Sequence, residues 1–242
     1  MTDYNYEEGI PAGYYDEIYR VGSGIQYWWH HLKFSAVENA VPTSDRWLDI
    51  GCGPGTFLGN FKVGKGSIGL DFSAPQIEYA NQIYGNTNLS FETSSLDELI
   101  ARGEKFDAIS IIEVIEHLPY STVDQLLEQM SQLLKPSGHL ILTTPNYRSL
   151  WPLIELAVNA RSRVSYKDQH INKYTPGKLQ RQLSHLFDTR LNTIVGLAPF
   201  LAAISDKLVS PANDVGTLCR HFGVGNLILA TGRLKSIKAG IN

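Results

Sequence analysis

Residues Trp47 to Leu58 read WLDIGCGPGTFL. A short apolar run meets three glycines, Gly51, Gly53 and Gly55, and then gives way to Thr56, Phe57 and Leu58. The run predicts a buried strand, and the residues after Gly55 predict the start of a helix. Glycines between the two let the backbone turn sharply. They also let a ligand approach the carboxyl end of the strand with no Cβ in the way. The spacing is G-x-G-x-G, whereas the dinucleotide fingerprint would place its third glycine where Thr56 stands. Asp49 precedes the first glycine by two residues. A carboxylate there suits a cationic ligand better than a pyrophosphate.

Outward from this turn, strand-like and helix-like stretches alternate. Strands are predicted at Arg46 to Gly51, Gly66 to Asp71, Leu89 to Ser94, Phe106 to Val114 and His139 to Pro145. Helices are predicted from Gly55 to Phe61, from Ser73 to Tyr84 behind Ser73 as N-cap, and from Ser121 to Leu134, where Pro136 and Gly138 would end the helix. Gly24 to Ala40 and Thr175 to Leu186 also read as helices, the latter with Pro176 in its first turn. Leu191 to Leu197 and Asn226 to Arg233 read as two last strands, separated by an insertion at 198–225. Repeated strand–helix–strand units mean parallel pairing with right-handed crossovers. One domain is expected, with a helical cap at 1–44, a ligand-binding core at 45–146 and an acceptor-side segment at 147–242.

Composition narrows the function. The chain has 242 residues, 43% apolar and 19% charged, enough apolar surface for a packed core. Its net charge is -3, which argues against a protein that grips nucleic acid through phosphate neutralisation. Two cysteines, Cys52 and Cys219, build neither a disulfide framework nor a cysteine zinc site, so a reduced, cytoplasmic protein is expected. The amino end shows no signal-peptide pattern, and no apolar run approaches the roughly 20 residues of a spanning helix.

The second strand ends at Asp71, sixteen residues beyond Gly55. An acid at that strand end can accept hydrogen bonds from both hydroxyls of a ribose. The fourth strand runs into Glu113, Val114, Ile115, Glu116 and His117. Glu113 and Glu116 fall about one helical turn apart, and two carboxylates with an imidazole can bind a divalent ion such as magnesium or manganese. The same run also admits a metal-free role, with the first acid on a cofactor and the histidine capping a turn.

Trp47 to Leu58, Gly69 to Asp71, Phe106 to Leu118 and Leu133 to Asn146 together resemble the class I S-adenosylmethionine-dependent methyltransferases. The resemblance covers Arg46 to Asn146 well and the rest loosely. It implies an α/β Rossmann-like fold, a seven-stranded, mostly parallel sheet with helices on both faces and an antiparallel C-terminal hairpin. It implies that S-adenosylmethionine lies with its methionine part over Gly51, Gly53 and Gly55. Asp49 would then act near the ammonium, Asp71 would hold the ribose, Ser95 and Leu96 would flank the adenine, and Glu113 would touch cofactor. The E-x-x-E-H run, the Thr144-Pro145-Asn146 stretch and His170, five residues before Thr175, are similar to two metal-using groups. These are the ubiquinone-biosynthesis O-methyltransferases and the small-RNA 3′-terminal 2′-O-methyltransferases. In both, the positions matching Glu113, Glu116, His117 and His170 are implied to ligate magnesium. Without a metal, His117 or His170 would be the general base.

The acceptor is expected to be a small molecule carrying a hydroxyl. Tyr14, Tyr15, Tyr27, Trp28, Trp29, residues Tyr147 to Trp151 and the insertion could line its pocket, or the aromatics could simply pack a helix onto the sheet. His30 and His31 could be a helix face. The run from Ala198 to Ile204, with Leu208 and Val209, would suit a membrane surface, a dimer interface or a buried lid. Lys167, Lys173, Lys178 and Arg181 could meet RNA phosphates, but overall acidity ranks RNA below a small molecule. A non-catalytic subunit that binds the cofactor, and an NAD-dependent enzyme, remain as other classes of answer.

Overall fold

The structure is a computed structural model that describes residues 10–41, 46–61, 63–159, 170–218 and 225–235. Lys167, Cys219, Arg220 and part of the insertion lie outside the described residues. Two helices come first, α1 (Tyr14–Val21) and α2 (Gly24–Glu38). Then β1 (Trp47–Ile50), α3 (Thr56–Asn60), β2 (Ser67–Leu70), α4 (Ala74–Tyr84), β3 (Leu89–Glu92), α5 (Leu96–Ala101) and β4 (Phe106–Ile112) alternate. A 3₁₀ turn (Ile115–His117), α6 (Tyr120–Leu133), β5 (Leu134–Pro145), α7 (Trp151–Asn159), α8 (Pro176–Leu183) and β6 (Phe187–Ile194) follow. Two more 3₁₀ turns (Ala198–Ala203 and Asp206–Leu208), α9 (Val209–Leu218) and β7 (Leu227–Leu234) complete the described chain.

The seven strands form one sheet in the order β3-β2-β1-β4-β5-β7-β6. The first five are parallel, and β7 is antiparallel to both β5 and β6. The expected sheet with its antiparallel end is therefore present. Successive strand residues alternate between two cores, as the pleat requires. Leu48, Leu140, Leu142, Ile228 and Ala230 pack with α5, α6 and α8 on one face. Trp47, Ile141, Leu227 and Leu229 pack with α2, α3 and α4 on the other.

Two strands begin four or more residues before the sequence expectation. β5 begins at Leu134, directly after α6, although Pro136 and Gly138 lie within it. The pairing with β4 jumps from Phe106↔Leu134 to Ala108↔His139, so both residues sit in an irregularity where ladder bonds are already broken. β6 starts four residues before Leu191 and ends at Ile194. It is an edge strand whose outward Asp188, Arg190 and Asn192 dilute the apolar signal, and Val195, at φ 51, ends it. α5 fills the helix-like stretch expected, without bounds, between the third and fourth strands. Ser95 caps it through a reciprocal capping box with Glu98.

The strand order reverses between β1 and β4, where Ile50 aligns with Ile111 and, on the other side, with Leu70. The residues after these three strands, from Gly51, Asp71 and Glu113 onward, therefore share one crevice at the carboxyl edge, the place where such sheets bind ligands.

Candidate active site

The glycine turn is held by its backbone. Gly51 N and Cys52 N both donate to the carbonyl of Leu70, at 2.7 and 2.9 Å. Gly51, Gly53 and Gly55 all have positive φ. Their surroundings differ. A Cβ on Gly51 would meet Val114, and one on Gly55 would meet Phe91 and Ala80, so these two are close-packing positions. A Cβ on Gly53 would project into open space. Gly53 is thus the glycine over which a ligand can lie.

Asp71 is tied to the turn. Its Oδ2 accepts from Gly53 N at 2.8 Å and its Oδ1 from Ser73 N at 2.9 Å. The Phe72 N–H also bonds to this carboxylate, which leaves one acceptor site for a ligand hydroxyl. Burial raises the Asp71 carboxyl, and the backbone bonds oppose the rise. Asp49 is 2% exposed. Ser110, its partner in register on β4, donates to its Oδ1 at 2.5 Å and accepts from the Trp47 indole at 2.7 Å. Burial pushes Asp49 up to about 7, against the Ser110 bond; Asp71 adds to the rise and Lys33 opposes it. A buried acid in this state gains from a cationic ligand. Ser95 is exposed and its hydroxyl is engaged with Glu98, while Leu96 is half-buried at the start of α5.

Glu113 sits just past β4 in the left-handed region, at φ 54, with its N–H on the carbonyl of Thr143 at 3.0 Å. Non-glycine residues hold that conformation at a cost and concentrate at functional sites. Its carboxylate pairs with Lys33, which reaches in from α2 and is 3% exposed. Lys33 was not identified from the sequence. A lone lysine in an aromatic helix gives no signal until the helix is docked against the sheet edge.

Glu116, His117 and His170 converge, with one potential ligand atom from each lying within 4.8 Å of the others. Glu113 stands outside this group. The 170–174 segment is pinned there by Asn172, whose N–H donates to the carbonyl of Glu116 at 2.9 Å and whose side chain donates to that of Leu118. Glu116 Oε2 accepts from Thr144 at 3.0 Å, and its Oε1 is buried with no partner. Burial, with the Glu113 charge, raises Glu116 to about 8. Burial lowers His170 to about 4, so the ring is neutral at neutral pH. A neutral imidazole and an orphaned carboxylate oxygen fit a divalent cation, which would compensate the buried acid.

The aromatic residues mostly hold α2 in place. Trp28 Nε1 and Gly24 N donate to Asp206 of the insertion at 2.6 and 3.0 Å. Trp29 lies 5.3 Å from Trp151 and 6.4 Å from Phe200, ring to ring. His31 stacks on Tyr27 and bonds to the Tyr19 hydroxyl, and His30 packs near Tyr15 and Phe34. Lys178, Arg181 and His185 share a groove with Asp124 and Glu128, so they do not form an unopposed basic face. Among the described residues, no helix is long and apolar enough to cross a membrane.

Residues 26–186 match a family model described as a methyltransferase domain. The chain belongs to this methyltransferase family. Its sheet order and glycine turn are those of the class I S-adenosylmethionine-dependent enzymes. A ubiquinone biosynthesis O-methyltransferase from Chelativorans sp. (strain BNC1) is 30% identical over 146 residues, 57% of this chain and 56% of that protein. The chain's match spans about half the length of such curated relatives. A SAM-dependent methyltransferase from Thermotoga maritima, described as a possible histamine N-methyltransferase, superposes with a TM-score of 0.64 at 17% identity, covering 91% of this chain and 94% of that one. The plantazolicin methyltransferase, solved in complex with SAH, gives 0.59 at 16% identity, with 92% and 89% covered. Likeness at this level bears on the fold.

Proposed function

We propose that this methyltransferase transfers a methyl group from S-adenosylmethionine to a hydroxyl of a small-molecule acceptor in the cytoplasm, assisted by a magnesium ion. The observation that carries the reading is the convergence of Glu116, His117 and His170, just past β4 on the sheet edge that also carries the glycine turn.

The donor would lie over Gly53, with Asp71 accepting from a ribose hydroxyl. The amino-acid end of the methionine part carries an ammonium, and Asp49 stands ready to compensate it. Lys33 can hold the donor's carboxylate once Glu113 releases it, and Glu113 then turns to the ammonium. This divides the E-x-x-E-H run into two jobs, Glu113 for the donor and Glu116 with His117 for the acceptor side.

Methyl transfer from sulfur is a displacement that needs the acceptor oxygen in line with the methyl and the sulfur. The chain's contribution is alignment and proton handling. Glu116, His117 and His170 would hold magnesium, which lowers the cost of deprotonating a bound hydroxyl. With the metal held, the hydroxyl proton passes to solvent; without it, His170, neutral and buried, can accept that proton at neutral pH. Oxygen as the methylated atom is supported by this ligand set and by the O-methyltransferase named among the relatives.

The test is a transfer assay with radiolabelled donor and catechol-type acceptors, run with a chelator and with added magnesium. The reading expects transfer that the chelator stops and magnesium restores. Transfer undiminished by the chelator would remove the metal from it.

A further inference from the structure

We propose that Glu155, braced by Tyr147, is a positioning residue that keeps the ring proton of His170 on Nδ1 and so leaves Nε2 as the electron-pair donor. The inference rests on the reading of His170 as a metal ligand or base, and it concerns two residues outside every motif in the chain.

The geometry is a closed three-membered network. Glu155 Oε1 lies 2.8 Å from His170 Nδ1. The Tyr147 hydroxyl lies 3.0 and 3.1 Å from the two Glu155 oxygens and 3.0 Å from His170 Nδ1. Counting protons decides the tautomer. An ionised carboxylate only accepts, so the phenol gives its single proton to Glu155. Towards the imidazole the phenol oxygen can then only accept. Both neighbours of Nδ1 are acceptors, and Nδ1 must carry the hydrogen. A neutral imidazole has one N–H, so Nε2 keeps its lone pair.

The network is built to be rigid. His170 is 6% exposed, and the Glu155 side chain is 12% exposed. Glu155 lies one turn after Trp151 on α7, and the Trp151 ring is 6.2 Å from that of His170. Tyr147 is fixed by its own N–H, which donates to the carbonyl of Tyr174 at 2.9 Å. A histidine that donates its far N–H to a carboxylate is held in orientation and made a better donor at the near nitrogen.

The test reads the tautomer directly. In ¹⁵N-histidine-labelled protein, ring-nitrogen shifts assign the proton, and loss of one ring's signals in His170→Gln identifies the residue. The wild type is expected to show the Nδ1–H form. Glu155→Gln, which keeps an acceptor oxygen, should retain it. Glu155→Leu should shift His170 toward Nε2–H and weaken Mn²⁺ binding, followed by electron paramagnetic resonance, by about 10–100-fold. If Glu155→Leu fails to fold, Glu155→Ala is read instead, with the same shift toward Nε2–H expected. An Nε2–H form in the wild type, or an unchanged tautomer in Glu155→Leu or its replacement, overturns the proposal. Wild-type protein that holds Nδ1–H but binds no Mn²⁺ supports the positioning role and removes only the metal reading on which it was placed.

Discussion

Lys33 of α2 and Glu113, the left-handed residue after β4, form an ion pair at the centre of the crevice. The lysine also lowers the buried carboxyls of Asp49 and Glu116. One ammonium therefore serves three acids.

Replacing Lys33 with Met should leave those acids facing one another. Removing one partner of a buried pair costs about 3–5 kcal/mol. The Glu113 side chain is 21% exposed, so a loss of about 2 kcal/mol is expected at pH 8. At pH 5.5 the loss should shrink, because Asp49 and Glu116 then hold protons. Urea unfolding at the two pH values checks both the size and the trend.

Asp49 sets a second pH dependence. In the folded chain it holds its proton up to about 7, whereas its ordinary value is 3.8. Between those values the folded state binds more protons than the unfolded state, so this group makes stability fall as pH rises. The slope is at most about 1.4 kcal/mol per pH unit for one proton. Asp49→Asn should remove that contribution. The variant is expected to unfold at higher urea than the wild type at pH 8 and to bind SAH more weakly. Equal midpoints at pH 5 and pH 8 relative to wild type would contradict the assignment.

The glycines separate packing from binding. Gly55→Ala places a Cβ 2.7 Å from the Phe91 ring and should destabilise the fold by about 2 kcal/mol or more. Gly53→Ala meets no protein atom. It should cost only about 1 kcal/mol for its positive φ, yet weaken SAH binding at least tenfold. Thermal unfolding and calorimetry on the two variants distinguish these effects.

Much of this site was readable from local pattern. The glycine turn, Asp49 and Asp71 lie within one strand–turn–helix–strand unit, where spacing alone fixes which edge they share. The E-x-x-E-H run and His170 were also visible, and three of those four residues converge. Lys33 and Glu155 were hidden as site residues, and Tyr147 was read only as pocket lining, because their roles depend on how α2 and α7 dock. The capping box at Ser95 was a missed local signal, since S-x-x-E ahead of an apolar residue marks a helix start. β6 was displaced because its burial alternates along an edge strand, so that no continuous apolar run marks its start.

The central claim is that S-adenosylmethionine binds over Gly53 with its ribose on Asp71. Calorimetric titration of the chain with SAH, beside Asp71→Asn, tests it most directly. The variant keeps one oxygen for the Ser73 N–H but loses an acceptor. The account predicts one site per chain in the wild type, weakened at least about tenfold in Asp71→Asn, a loss of about 1.4 kcal/mol. A folded wild-type protein that takes up no SAH, or a variant that binds it equally well, would contradict the claim.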